Sequence, residues 1–324
     1  MKRWLIFSIL CLFIFAGTAQ AATTIKLGLV TKPGSAQNIC AEKFKELLEK
    51  RSQGRFEVKI FHSGSLGTET EILQQIQMNA VQMGIITLGP FDVFVPEVKV
   101  VAFPFMFKDN ATVDRVLDGP PGQALLKTLE KAGFKGLSFS ENGFRNLTNN
   151  RRPVHSVDDV KGLKIRVMES NFHKELWRTL GANPTPMGWP IYTELQQGTI
   201  DGQENPLWVI WTYKLYEVQK YLTLTGHVYS AHIDVANLKW FNSLPAGDQA
   251  MITQAMKEAS HYQRKWNRSK EADFLAKLIQ AGMQVDQHPD LDSFKARVAN
   301  MKNMKMYRDP ETRRFLDMFL KAAR

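Results

Sequence analysis

Apolar and polar positions follow two different periods along this chain, and the order in which the periods succeed one another predicts its architecture. Residues 24–30, TIKLGLV, alternate as a strand and end in the turn Lys32-Pro33-Gly34-Ser35. Behind the turn, Ala36–Arg51 sets Ile39, Cys40, Phe44, Leu47 and Leu48 at helical spacing, and Gln53-Gly54 stops it. Residues 55–61, RFEVKIF, alternate again. HSGSLG then turns the chain into an amphipathic helix over 69–82, followed by a third strand, MGIITL, at 83–88. A β-α-β-α-β succession requires crossover connections, so it predicts a largely parallel sheet covered by helices.

Residues 100–107, VVAFPFMF, are too aromatic and too interrupted by Pro104 for a central strand and read as a buried loop or edge. A helix over 112–132 and a strand over 135–140 follow. A second unit opens near Gly143, with a strand at 163–167 and helices at 171–180 and 192–197. Within that strand, Lys164-Ile165-Arg166-Val167 puts both cations on one face. Residues 248–281 form one helical stretch of roughly 34 residues without proline or glycine, entered through Pro245-Ala246-Gly247 and stopped by Gly282. Such a helix is long enough to pass from one domain to another. Residues 290–324 read as helical and charged, broken at Pro310. The pattern predicts two α/β lobes with a ligand cleft between them.

The chain ends and composition narrow the setting. Lys2 and Arg3, the apolar run from Trp4 to Ala16 and the small residues of Ala19-Gln20-Ala21 read as a secretion signal over residues 1–21, with the mature chain starting near Ala22. The apolar run is about 13 residues, short of the roughly 20 that a spanning helix needs. Of the two cysteines only Cys40 lies beyond the signal, so no intramolecular disulfide can form in the mature chain. Export without disulfides points to a bacterial periplasm. The formal charge is +10, and loss of Lys2 and Arg3 lowers it by two. The cations are scattered, Arg151-Arg152 being a mere pair, and no basic stripe or module suits nucleic acid. A mild bias toward small anions remains.

Seven histidines stand in the sequence, but none forms an i, i+4 helical pair or has a cysteine partner, so no metal site is expected. There is no G-x-S-x-G nucleophile turn and no phosphate-cradling glycine loop, so neither catalysis nor a cofactor is expected. What the sequence does place within about 60 residues are Arg145 in ENGFRNLTNN, Arg166 in GLKIRV, Trp189 in PTPMGWP and Asn205 in DGQENP. A guanidinium offers a carboxylate two parallel N–H bonds, which makes both arginines candidate anion anchors. The residues alone equally allow a strand-edge salt bridge for Arg166, core packing for Trp189, and a cap or turn role for Asn205.

The blocks GSLG, TETEILQQIQMNAVQMGI, VAFPFMF, GFRNLTNNRRPV, DDVKGLKIRV, LGANPTPM, ELQQGTIDGQENP and YEVQKYLTLTGHVYS occur in an order that resembles the solute-binding subunits of TRAP (tripartite ATP-independent periplasmic) transporters, the DctP family. The resemblance runs over essentially the whole mature chain. It implies a two-lobed α/β fold of discontinuous lobes, 22–142 with about 231–265 and 143–230 with about 266–324, braced by the long helix. It implies that Arg166 makes the main salt bridge to a ligand carboxylate, supported by Arg145 and Asn205, with Trp189 lining the pocket and Glu69 and Thr87 contributing from the first lobe. Trp208, after ENPL, and His232, beyond HVYS, join the expected site. Thr87 stands where sialic acid binders carry a carboxylate, which disfavours sialic acid. A sugar acid such as a uronate is favoured because Glu69 and Gln203 can meet hydroxyls, a purely structural role for Gln203 being equally open, and an aromatic carboxylate held between two indoles is the alternative. The implied setting is a periplasmic monomer handing its ligand to small and large TRAP membrane subunits, or else presenting it to a membrane sensor.

Overall fold

The computed structural model of the chain describes residues 22–324; the expected signal segment lies outside them. Nine strands form one sheet: β1 (Thr23–Gly28), β2 (Phe56–Phe61), β3 (Met83–Thr87), β4 (Phe134–Asn149), β5 (Lys164–Val167), β6 (Asn183–Pro186), β7 (Gly202–Asn205), β8 (Tyr221–Asn237) and β9 (Gln284–Asp286). Their order is β2-β1-β3-β8-β4-β7-β5-β6, with β9 paired to β8. β1, β2 and β3 are parallel, as the crossover pattern predicts. So are β5, β6 and β7. Between these two groups lies a ribbon of the two long strands β4 and β8, antiparallel to each other and to their outer neighbours β7 and β3. The result is a two-lobed α/β architecture whose lobes share one continuous ribbon.

The ribbon was only partly legible in advance. The expected strand at 135–140 and the second unit from Gly143 are parts of one strand, β4. Register shifts between Gly136 and Ser138, Glu141 and Gly143, and Arg145 and Leu147 bend it. Such bulges leave backbone groups unpaired, and the long helix Ala246–Gln280 supplies partners. Gln263 accepts from the Glu141 N–H and donates to the Glu141 carbonyl, both at 2.8 Å. Arg264 donates to the Phe139 carbonyl, and Asn267 to that of Asn142. Toward its start the helix buries Ile252, Ala255, Met256 and Ala259 in the core with Phe44, Val58 and Ile85. At its far end Leu278 packs in a separate core with Ile210, Leu215 and Leu222. The single helix therefore braces both lobes.

Other departures have local causes. The helix expected over 112–132 is split into Asn110–Leu117, Pro120–Thr128 and a 3-10 turn Leu129–Ala132. Pro120 opens the second helix, where its missing N–H costs nothing. The chain turns so tightly there that a Cβ on Gly122 would sit 1.9 Å from the Leu117 carbonyl oxygen. The helix expected over 69–82 stops at Gln77, just before Asn79 takes a left-handed φ of 58°. Of the carboxy-terminal segment expected in the second lobe, Leu291–Val298 packs on Asn171–Leu180, whereas Pro310–Ala322 packs on Pro96–Ala102 and Pro120–Thr128.

Candidate ligand-binding cleft

A cavity lies between the lobes, where the chain leaves the carboxyl ends of β1, β3 and β5, the usual ligand position in open α/β sheets. Val30 and Thr31 follow β1, Thr87 ends β3, Met168 follows β5, and the ribbon adds Asn142, Arg145 and His232 from its middle. All eight expected site residues line this one cavity: Arg166, Arg145, Asn205, Trp189, Glu69, Thr87, Trp208 and His232. Gln203 does not. Its buried amide bonds Thr148 and Asn205, which is the structural role and not the hydroxyl contact of the two that the sequence allows.

Strand alternation put Lys164 and Arg166 on one face, yet Lys164 is exposed and Arg166 only 4 % exposed, because β5 runs inward toward the cleft. The Arg166 Nε and Nη2 donate to the Met187 carbonyl at 2.9 and 2.5 Å. Among the described residues it forms no ion pair, so the ordinary fate of a strand-edge arginine is not seen here. Burial and the neighbouring Arg145 guanidinium lower its pKa to about 10, which still leaves it cationic at neutral pH. Glu204, Glu69 and Glu169 act on it from beyond ion-pair distance, and a buried cation without a direct partner is costly unless an anion joins it.

Arg145, fully buried on β4, is held from behind by Glu204 on β7. Its Nε and Nη2 donate to the Glu204 carboxylate and its Nη2 also to the Glu204 carbonyl. His227, on β8, lies 3.2 Å from the same carboxylate. Burial alone would raise the Glu204 pKa, but Arg145 and His227 outweigh it and hold the carboxyl well below its usual range. This fixes one side of the Arg145 guanidinium and leaves Nη1 without a partner among the described residues.

Five of the buried polar atoms that lack a partner belong to residues lining this cavity: Arg145 Nη1, Trp189 Nε1, His232 Nδ1, Gln37 Oε1 and Asn142 Oδ1. Buried polar groups are nearly always hydrogen-bonded, so their concentration in one cavity points to a polar ligand. His232 is neutral at physiological pH, burial and Arg145 lowering its pKa to about 3. Trp189 meets Tyr213 edge-on with ring centroids 4.7 Å apart, and the Arg166 guanidinium lies 5.7 Å from its ring centre. Trp208 has its N–H engaged by the Asn142 carbonyl at 2.8 Å and so offers the cavity its ring alone. On the first lobe, Glu69 Oε1 accepts from the Thr87 N–H and hydroxyl, both at 2.7 Å, and from Gln37 Nε2 at 3.2 Å. Burial raises its pKa, and the Thr87 bonds oppose the rise.

Gln37, Asn142 and Tyr213 were not among the expected residues. Gln37 reads as one more polar position in the first turn of a helix, and only the fold brings it to β3, where it donates to the Ile85 carbonyl at 2.9 Å. Contacts also close the cleft. The Tyr213 hydroxyl accepts from the Lys32 N–H at 2.9 Å. Asp92, just after β3, accepts from the Ser170 hydroxyl at 2.7 Å and the Phe172 N–H at 3.1 Å, at the start of helix Asn171–Leu180 beyond β5.

Two parallel-stranded lobes, a shared antiparallel ribbon and a buried arginine without a direct ion pair in the cleft define a solute-binding protein built for a small anion. Comparison with known proteins gives the family. The model of bacterial extracellular solute-binding protein family 7, DctP, matches residues 27–308, and the chain belongs to that family. A solute-binding protein of Verminephrobacter eiseniae (strain EF01-2) is 40% identical over 283 residues, which are 87% of this chain and 84% of that protein. A TRAP periplasmic solute binding protein from Polaromonas sp JS666, solved bound to D-erythronate, is 36% identical with a TM-score of 0.87, covering 93% of this chain and 98% of that one. The sugar acid binding protein DctPAm from Advenella mimigardefordensis strain DPN7T, solved with galactonate, is 34% identical with a TM-score of 0.88 over the same shares. TRAP solute-binding proteins are periplasmic, bind small acids and work with TRAP membrane subunits.

Proposed function

We propose that this chain captures a small sugar acid in the periplasm and delivers it to a TRAP membrane transporter, acting as a binder and not as an enzyme. The observation that carries the reading is the pair of guanidiniums at one end of the cavity, Arg166 with no direct ion pair among the described residues and Arg145 with a free Nη1. One carboxylate seated there would accept from both, in a partly dry site where such charge-assisted bonds are strongest. The free polar atoms elsewhere in the lining favour hydroxyls over an apolar ring, which weighs against an aromatic acid. The erythronate and galactonate held by the two similar proteins agree with this preference.

Residues 1–21 are read as a cleaved export signal and the mature protein as a monomer. The first lobe is taken to comprise 22–142 with about 231–265, together with the carboxy-terminal helix Pro310–Ala322 that packs on it, and the second 143–230 with most of 266–309. A thermal-shift screen of the purified mature protein across aldonates, uronates, C4-diacids and aromatic acids tests the reading, because a ligand that binds only the folded state raises the melting temperature. Stabilisation by sugar acids is expected. No shift with any carboxylate would overturn it.

A further inference from the structure

We propose that Gln37 and Glu69 form the discriminating half of the cleft, an array of acceptors that admits a polyhydroxylated monocarboxylate and rejects a dicarboxylate of the same length. The inference rests on the carboxylate reading above and adds to it what the remainder of the ligand must be.

The orientation of Gln37 is fixed by chemistry. Its Nε2 lies 2.9 Å from the Ile85 carbonyl and 3.2 Å from the Glu69 carboxylate, and both of these only accept. The amide nitrogen must therefore occupy that position, and the oxygen must be the atom left over. That oxygen is buried, the residue being 1 % exposed, and has no partner among the described residues. Glu69 is held in the same way. Three donors converge on its Oε1, and Oε2 makes no hydrogen bond among the described residues. The first-lobe side of the cavity thus presents two acceptor oxygens, one of them part of an anionic group. A ligand hydroxyl satisfies such an atom by donating its proton, whereas a second ligand carboxylate brings only lone pairs and a like charge.

The charge inventory of the lining points the same way. Among the described lining residues the cations are Arg145 and Arg166, set against the Glu69 carboxylate in the lining and Glu204 behind the wall, which already pairs with Arg145. One ligand carboxylate uses the free guanidinium ends. Among the described residues no lysine or third arginine lines the cavity to receive another. Leaving a buried acceptor unmatched is also the stronger route to specificity, since a site built to hydrogen-bond a hydroxyl rejects the analogue that lacks it far better than an apolar pocket rejects extra bulk.

Isothermal titration with three six-carbon probes tests this: galactonate, the corresponding hexarate with a carboxylate at both ends, and hexanoate with no hydroxyls. Wild type is expected to bind galactonate at least about 100-fold more tightly than either of the others, the cost of about 3 kcal/mol for an unpaired buried polar or like-charged contact. Glu69→Gln should narrow the galactonate-to-hexarate ratio at least tenfold. Gln37→Leu should narrow the galactonate-to-hexanoate ratio by a similar factor. Hexarate or hexanoate bound by wild type within threefold of galactonate would overturn the proposal while leaving the carboxylate reading intact. Binding of none of the three would overturn both, and the wild-type comparison stands even if a variant fails to fold.

Discussion

Arg145 and Glu204 sit on adjacent antiparallel strands with the carboxylate clasping one edge of the guanidinium, so that Glu204 aims Arg145 at the cleft. The pair is fully buried. Removing one charge from such a pair strands the other, at a cost of about 3–5 kcal/mol. Glu204→Gln is therefore expected to lower the melting temperature sharply and weaken sugar-acid binding, although Glu204 does not line the cavity. Thermal denaturation with titration calorimetry checks both, and a variant as stable as wild type would contradict the pairing energetics.

Arg166 contributes differently, since its partner among the described residues is a single backbone carbonyl. Arg166→Ala should leave stability nearly unchanged, because it removes a buried charge together with its contacts. Affinity for the ligand carboxylate should fall about 100-fold, from loss of a charge-assisted contact of about 3 kcal/mol. Arg166→Lys should recover only part of this, as an ammonium cannot offer two parallel N–H bonds.

Stability should depend on pH through groups that oppose one another. His173 and His232 have pKa values lowered by burial to about 3, so the unfolded chain takes up protons below about 6.5 while the folded one does not. Stability therefore falls as pH drops through that window, by about 1.4 kcal/mol per pH unit for each histidine. Asp234, buried among the hydroxyls of Ser138, Ser140 and Ser260, is pushed up to about 6 by burial. Here the folded state holds the proton more tightly than the unfolded one, so stability rises as pH falls from 6 toward 4. Asp234→Asn should stabilise the protein at pH 7, by up to about 3 kcal/mol, and steepen its loss of stability in acid. Urea denaturation at pH 7, 6, 5 and 4 measures both slopes.

Among the described tryptophans, Trp189 and Trp208 line the cavity. Sugar-acid binding should change the intrinsic fluorescence, and Trp189→Phe should remove most of the change, because the Trp189 N–H is free to engage the ligand whereas that of Trp208 is committed to Asn142.

Closure should be separable from ligand contact. Asp92 joins the two lobes through Ser170 and Phe172 without lining the cavity. Asp92→Ala is expected to enlarge the radius of gyration of the ligand-free protein in small-angle scattering and weaken binding severalfold by raising the cost of closing.

What the sequence conveyed and what it withheld divide along physical lines. Helices at 36–51, 171–180 and 246–280 were legible because their caps and breakers are local, as were the short strands whose alternation is undisturbed. Arg145, Arg166, Trp189 and Asn205 were legible because they sit in compact blocks. The ribbon was legible only as the strand at 135–140, where Leu137 and Phe139 alternate with Ser138 and Ser140; beyond it β4 stays buried and carries Glu141, Asn142, Arg145 and Asn146 inside, so the alternation is lost. Those polar groups are matched by β7, β8 and the long helix, all distant in sequence. Gln37 stayed hidden for the same reason: its partners Glu69 and Ile85 come from other elements.

The continuity of β4 and β8 also has a mechanical meaning. Lobes joined by loose linkers can swivel about many axes, but these are joined by two hydrogen-bonded strands lying side by side and backed by one unbroken helix. Three such members lying side by side should act as a leaf spring, compliant across its thin direction and stiffer along the others. Opening and closing should then follow flexure along one coordinate, which a single distance between a label on each lobe would report.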